Sequence, residues 1–380
     1  MDLEEKKKRT AGMSKYDLDT PCLVIDEDIL DSNIRKMQDF VSSRGKGLRP
    51  HAKTHKCVSI IRKQIEAGCI GICTAKVSEA KVCIEQGIRD ILITSPVITP
   101  RKIERLIKCV KKAPDCIIVV DSQDNAHALN DAFSSGDFRC NVLVGIDPGM
   151  GRTGISFDRA YELGNIIHSL DNLNLKGIQC YAGFLQHIKD YEERKQTSLE
   201  VMEKAGETVR RFRNEDLPCD IFTGGGTGSY EFDCSVQDVT DIQAGSYALM
   251  DAEYVNIGSA GDKERFNEFP PALTLLSTVI SANRDGWVTA DAGLKTLYHH
   301  GASPEILYPE ELRSAEYEWF GDEHGKILID SSIPRPDPGT VLELMVSHCD
   351  PTVNLFDEIY VTRNRTVTDI WPVDMRGKSQ

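Results

Sequence analysis

The 380-residue chain predicts an α/β fold, a (β/α)8 barrel followed by a mostly-β C-terminal domain. Three observations carry that prediction. From residue 48 to about 250, short β-rich runs ending in polar or glycine-containing turns alternate with longer segments of helical period. Eight such runs occur, each separated from the next by room for a helix, which suits a closed barrel better than a doubly wound sheet. Beyond Pro270-Pro271 the helical segments give way to closely spaced strand-like runs, and the chain is too long for one ordinary core.

In chain order, residues 1–15 carry the charge run Glu4 to Arg9 and are expected to form a disordered tail. Residues 16–265 are assigned to the barrel and 266–380 to the β domain. Cys22–Ile25 follows a Thr20-Pro21 break and precedes a helical segment; it belongs either to the barrel or to the β domain. The barrel strands are expected at Leu48–Ala52, Ile70–Ala75, Asp90–Ser95, Ile117–Asp121, Asn141–Asp147, Lys176–Tyr181, Asp220–Thr223 and Asp241–Tyr247. In the β domain, strands are expected at Leu273–Ala282, Trp287–Ala290, Lys326–Ile329 and Thr340–Val346, followed by a terminal hairpin that turns at Arg363-Asn364-Arg365.

Composition narrows the function. With 45 basic against 59 acidic residues the net charge is -14, so a polyanion-binding surface is not expected, nucleic acid is not an expected partner, and any basic cluster is local. Twelve cysteines include no Cys-x-x-Cys pair, which argues against a zinc ribbon or a disulfide framework and for free thiols in a reducing cytoplasm. No stretch approaches the roughly 20 uninterrupted apolar residues of a membrane span, and the first residues are charged rather than apolar. No membrane partner is expected.

The unusual residues fall where barrel strands end, the position at which barrel enzymes place their chemistry. Lys53 closes the first strand in Arg49-Pro50-His51-Ala52-Lys53-Thr54-His55-Lys56; an amine ringed by cationic and imidazole groups is pushed toward its neutral, nucleophilic form and can form a Schiff base. Alone, such a cluster also fits a solvated basic face. Arg152 follows the fifth strand in Gly149-Met150-Gly151-Arg152, Tyr181 and His187 follow the sixth, and Gly224-Gly225-Gly226-Thr227-Gly228-Ser229 follows the seventh. Gly245, Ser246 and Tyr247 lie on the eighth. A glycine run after a strand lets backbone N–H groups approach an anion, with Thr227 and Ser229 adding hydroxyls; it satisfies neither nucleotide motif, and a plain turn is the alternative. A Schiff-base lysine with a phosphate cradle on a barrel points to pyridoxal 5'-phosphate.

A second group is Ser347-His348-Cys349-Asp350-Pro351-Thr352. If extended geometry continues past Val346, His348 and Asp350 project from one face, with Cys349 opposite. One nitrogen and one oxygen ligand suit Mn, Mg or Zn and leave positions open for water and substrate. Spacing alone leaves other readings open: a surface turn for His348-x-Asp350, a core or helix-start histidine for His187, a packed aromatic for Tyr181, a surface ion pair for Arg152. Asp322-Glu323-His324-Gly325 is either a polar loop or a further ligand group.

Together these motifs resemble the fold-type III pyridoxal-phosphate enzymes, the alanine-racemase-like barrels. Within them the chain is most similar to the metal-activated branch of D-threonine aldolase, 3-hydroxy-D-aspartate aldolase and D-serine dehydratase. The likeness runs from Thr20-Pro21-Cys22 to Trp371-Pro372-Val373. It implies that Lys53 is the Schiff-base lysine, that Arg152 lies near the cofactor's 3-hydroxyl, that Gly224 to Thr227 with Ser246 bind the phosphate, and that Tyr181 meets the cofactor. It implies further that His187 helps deprotonate the substrate hydroxyl and that His348 and Asp350 hold a metal. The dehydratases place a cysteine where Asp350 stands, which favours the aldolase side and a metal harder than zinc. The implied activity is retro-aldol cleavage of a D-3-hydroxy amino acid to glycine and an aldehyde by a homodimer. The alternatives are a D-serine or D-3-hydroxyaspartate dehydratase and, more remotely, a non-catalytic cofactor-binding protein.

Overall fold

The computed structural model describes residues 2–380, which form two compact units. One comprises residues up to 34, 54–59 and 246–376; the other comprises 35–53, 60–245 and 377–380. The chain begins with α1 (Leu3–Thr10), β1 (Cys22–Asp26) and α2 (Glu27–Ser43). Strands and helices then alternate: β2 (Gly47–Leu48), α3 (Val58–Glu66), β3 (Ile72–Thr74), α4 (Val77–Glu85), β4 (Ile91–Ile93), α5 (Pro100–Lys112), β5 (Ile117–Val120), α6 (Gln123–Phe133) and β6 (Cys140–Ile146). They continue as α7 (Phe157–His168), β7 (Leu173–Cys180), α8 (Tyr191–Asn214), β8 (Ile221–Gly224), α9 (Tyr230–Asp233) and β9 (Asp241–Ile242).

Strands β2 to β9 are all parallel, in the order β2-β9-β8-β7-β6-β5-β4-β3. The ring closes between β2 and β3 through the His51–Cys73 bridge, with Ile70 N donating to Leu48 O (3.0 Å) and Cys73 N to Pro50 O (2.9 Å). Strands covered by helices must be apolar on both faces, and Ile117-Ile118-Val119-Val120 is buried throughout. Helix starts follow local rules: Ser122 caps α6, Asp190 caps α8, and Pro100 opens α5 where its missing N–H costs nothing.

The first and last barrel strands are shorter than expected. Pro50 cannot donate to a ladder, so β2 ends at Leu48 and Lys53 lies in the turn beyond it. Gly245 to Tyr247 do not continue the eighth strand; β9 ends at Ile242, and Ser246–Ala248 form a 3-10 turn.

The second unit holds the remaining elements: α10 (Ala252–Val255), β10 (Leu273–Arg284), β11 (Trp287–Ala290), β12 (Glu305–Tyr308), β13 (Tyr317–Trp319), β14 (Gly325–Leu328), β15 (Val341–Met345), α11 (Cys349–Val353), β16 (Glu358–Arg363) and β17 (Thr366–Pro372). Its sheet runs β13-β14-β11-β10-β1-β16-β17, with β15 also on β10 and β12 on β15. Strand β10 serves two sets of neighbours: residues 273–278 pair β1 and β15, and register shifts after Val279 turn its far half onto β11. β1 therefore belongs to this sheet, antiparallel to β10 and parallel to β16. The β16–β17 hairpin turns at Asn364 and Arg365, both at positive φ, as a two-residue primed turn requires.

Two expectations about this unit are corrected. The linear barrel boundaries 16–265 do not hold, because residues up to 34 and 246–265 group with the β sheet. Nor do residues 2–15 form the disordered tail expected for 1–15. Asp2 caps α1, Lys7 pairs with Asp369 at 2.9 Å, Lys6 pairs with Glu358, and Gly12 N donates to Val367 O at 2.9 Å. Among the described residues no helix is long and apolar enough to cross a membrane.

Candidate active site

Because β2 to β9 are parallel, the residues that follow them lie at one end of the barrel. Lys53 is half-buried there, in the turn after β2. His51 holds its backbone: Nδ1 accepts from Lys53 N at 3.4 Å, and Nε2 lies 3.1 Å from Thr94 Oγ1. Thr94 in turn donates to Thr74 O (3.2 Å), so the His51 ring is held between the Lys53 amide and the Thr94 hydroxyl. Arg49, expected among the cations around Lys53, is instead a strut that donates to Asp90 O (2.7 Å) and sits beside Asp241 (3.5 Å).

The turn after β6 is shaped by Asp147, whose carboxylate accepts from Gly149 N (2.9 Å), Met150 N (2.7 Å) and Gly151 N (3.0 Å). It presents Arg152, with its guanidinium 5.8 Å from the centre of the Tyr181 ring, on a small cavity also lined by Thr94, Gly145 and Gln179. The structure thus brings Arg152 and Tyr181 together.

The glycine run after β8 is demanded by close packing. Gly225 has φ +77, and a Cβ on Gly224 would lie 2.0 Å from Cys180 O. Ser229 is not available as a ligand donor as expected. Its hydroxyl donates to Asp233 Oδ2 (2.6 Å) and accepts from Gln186 Nε2 (3.0 Å) and Gly226 N (3.3 Å). Gln186 Oε1 accepts from Gly228 N (2.6 Å), and the buried Arg194 donates to Gly228 O (2.8 Å) and Ile188 O (2.6 Å). The Gln186 side chain thus ties the 3-10 turn Gly183–His187 to the glycine loop. His187 ends that turn exposed, not in the core. Burial pushes the Asp233 carboxyl up to about 6, against the hydrogen bonds from Ser198, Ser229 and Gly226 that favour its ionised form.

An amine, a guanidinium beside an aromatic ring and a loop of small-residue amides at one barrel end match a phosphorylated aromatic aldehyde in donor type. Pyridoxal phosphate fits these residues.

In the β unit, His348 does not continue the strand. It precedes α11 with extended backbone (φ -147, ψ 129), and Asp350 stands in the first turn of that helix. His348 Nε2 nevertheless lies 3.9 Å from Asp350 Oδ2. On the other side, His348 Nδ1 is 2.9 Å from the fully buried Asp251 and 3.5 Å from Glu253. Burial lowers the imidazole pKa, but the Asp251 hydrogen bond and the charges of Asp251, Asp350 and Glu253 outweigh it and raise the pKa to about 9. Surroundings that favour positive charge on this ring also favour a cation beside it, and Nε2 faces the Asp350 carboxylate, so the pair fits a divalent metal. Among the described residues no cluster of three or more His, Cys, Asp or Glu is arranged as a metal cage. Glu323 pairs with Lys295, and Asp322 to His324 form an exposed polar loop before β14.

Residues 25–252 match the alanine racemase, N-terminal domain, family, and residues 272–362 match a serine dehydratase domain. The chain belongs to the alanine racemase N-terminal-domain family. Within that family, a D-threonine aldolase of Arthrobacter sp is 37% identical over 96% of this chain and 94% of that protein. A 3-hydroxy-D-aspartate aldolase of Paracoccus denitrificans (strain Pd 1222) is 35% identical over 97% and 94%. The crystal structure of D-threonine aldolase from Filomicrobium marinum superposes with a TM-score of 0.90 at 34% identity, covering 97% of this chain and 98% of that one. A D-threo-3-hydroxyaspartate dehydratase, solved metal-free as a cysteine-to-alanine variant, gives a TM-score of 0.81 at 25% identity over 94% and 98%.

Sequence reasoning missed Asp251, Asp233 and Arg194. Asp251 and Ser229 precede short helical segments, a capping signature, but nothing local reports that Asp251 faces His348 or that Arg194 faces Gly228.

Proposed function

We propose that this chain is an aldehyde-lyase that cleaves D-3-hydroxy amino acids into glycine and an aldehyde, using pyridoxal phosphate and a divalent metal. The observation that carries the reading is the pairing of His348 with Asp350, an oxygen ligand, on a chain whose barrel sets Lys53, Arg152 and a glycine loop at one end. Lys53 would hold the cofactor covalently, Arg152 its 3-hydroxyl edge, Tyr181 its ring, and the loop Gly224 to Thr227 with the Gly245-Ser246-Tyr247 segment its phosphate. His348 and Asp350 would hold the metal.

Bound there, the cofactor supplies an electron sink at the substrate Cα, and the metal supplies Lewis acidity toward the β-hydroxyl. The chain's own part is to position and to move protons. His187 is exposed and can exchange protons with solvent; as general base it takes the proton of the β-hydroxyl while the Cα–Cβ bond breaks and the aldehyde leaves. A proton returned to Cα completes glycine. Gln186 holds the His187 turn to the glycine loop, so the base is braced against the segment proposed for the phosphate.

The dehydratase is the second reading, since a dehydratase domain matches residues 272–362. In that reaction Lys53 would take the α-proton and hydroxide would leave. In solved structures of D-threo-3-hydroxyaspartate dehydratase a histidine and a cysteine two residues apart have been altered, the cysteine variant being in the metal-free form. Here the residue two after His348 is Asp350, and a carboxylate selects a harder ion such as Mn. A homodimer acting in the cytoplasm completes the reading; the twelve cysteines are buried free thiols.

The test is an aldehyde-coupled assay with D-threonine and L-threonine, in the presence of pyridoxal phosphate and Mn. The reading expects aldehyde from the D-isomer alone and its loss on chelation. Equal rates with both isomers, or full activity after chelation, would refute it.

A further inference from the structure

We propose that Asp251 is the positioning residue of the metal pair, fixing the tautomer and the direction of His348; this rests on the metal reading above. The Asp251 carboxylate is fully buried and receives hydrogen bonds from two directions. Oδ1 accepts from Tyr254 N at 3.1 Å and so starts α10. Oδ2 accepts from Cys349 N at 2.8 Å and lies 2.9 Å from His348 Nδ1. A carboxylate can only accept, so a hydrogen bond at this distance requires the proton on Nδ1. The other nitrogen, Nε2, lies on the side that faces Asp350 and would give its lone pair to a metal bound there. A histidine that gives one ring N–H to a carboxylate and its other nitrogen to a metal is fixed in orientation and made more basic.

The backbone makes the arrangement rigid. Ala252 N donates to Val346 O (3.0 Å), Glu253 N to Ser347 O (3.1 Å), and Cys349 Sγ to Met250 O (3.1 Å). Residues 250–253 are therefore laced to residues 346–349, which fixes the Asp251 carboxylate relative to the His348 backbone, and the ring turns only by breaking its hydrogen bond to Asp251. Asp251 lies five residues after Ser246, so the strip that continues from the proposed phosphate segment is the one that aims the metal ligand. In Asp251→Asn an amide NH2 must face either Tyr254 N–H or the His348 and Cys349 N–H pair. The first arrangement loses the cap and the charge behind the ring; the second demands the opposite tautomer.

The experiment is Mn titration of the cofactor-loaded protein, followed by electron paramagnetic resonance of free Mn, for wild type, Asp251→Asn and Asp350→Ala. Asp251→Asn should weaken binding about 10- to 100-fold, as loss of such partners does elsewhere. Its circular dichroism without metal should stay close to wild type, while the lost acceptor lowers its unfolding temperature. A Kd equal to wild type would overturn the proposal. Should the variant fail to fold, nitrogen NMR of the Zn-loaded wild type decides, with His348 assigned by His348→Gln: a proton on Nδ1 supports the proposal, and one on Nε2 overturns it. Wild-type binding unchanged by Asp350→Ala would instead remove the metal reading itself, and the proposal with it.

Discussion

Gln186 spans two hydrogen bonds to the glycine loop, giving Nε2 to Ser229 Oγ at 3.0 Å and taking Gly228 N on Oε1 at 2.6 Å. Its neighbour His187 is the proposed base, so one buried amide sets both the loop and the turn that carries the base. Gln186→Leu strands a buried N–H at Gly228, at a cost of about 1–3 kcal/mol. Calorimetry should find a stability loss of that order, and cofactor titration should find weaker binding. A variant with wild-type stability and cofactor affinity would contradict the bracing role.

Lys53→Ala and Asp350→Ala should separate the two bound groups. The first should abolish the visible absorbance of the lysine-bound cofactor together with turnover. The second should keep that absorbance and lose metal-stimulated turnover. Spectra and rates of both variants, with and without Mn, check the split.

His187→Gln removes a general base but leaves binding groups in place. The expected loss is about 10²–10⁴-fold in kcat with little change in KM. Steady-state kinetics with D-threonine measure it; an unchanged kcat would move the base elsewhere.

Asp233 makes a pH prediction. Its folded pKa, about 6, lies above the ordinary 3.8, so the folded state binds this proton more tightly than the unfolded chain. The stability it contributes is fully present below pH 3.8 and is lost as pH rises through about 6. A shift of roughly two units corresponds to about 3 kcal/mol. Asp233→Asn, whose amide still pairs with Ser198 and Ser229, should remove that part of the slope. Urea unfolding between pH 4 and 7 should show the variant gaining on wild type as pH rises; parallel profiles would refute it.

How much was legible in the sequence follows from where each contact lies. Ile117–Val120 announces itself because a strand covered on both faces must be a continuous apolar run. Strand β2 was placed, at Leu48–Ala52, but its extent was not legible, because Pro50 cuts the ladder short and closure rests on single bonds such as Cys73 N to Pro50 O. Strands β12 and β13 escaped because each is only three or four residues long and pairs with one neighbour. Helix α1 was hidden in a charge run because its partners Glu358 and Asp369 lie at the other end of the chain. Lys53, Arg152, His348 and Asp350 were visible as unusual residues at strand ends. Asp251 was not, since it meets His348 across 97 residues and only folding joins them.

The central claim is carbon–carbon cleavage, and product analysis tests it most directly. The purified protein would be incubated with pyridoxal phosphate, Mn and D-threonine, and the products separated by chromatography. The account predicts glycine and acetaldehyde in equal amounts. 2-Oxobutanoate with ammonia would contradict it and assign the chain to the dehydratases.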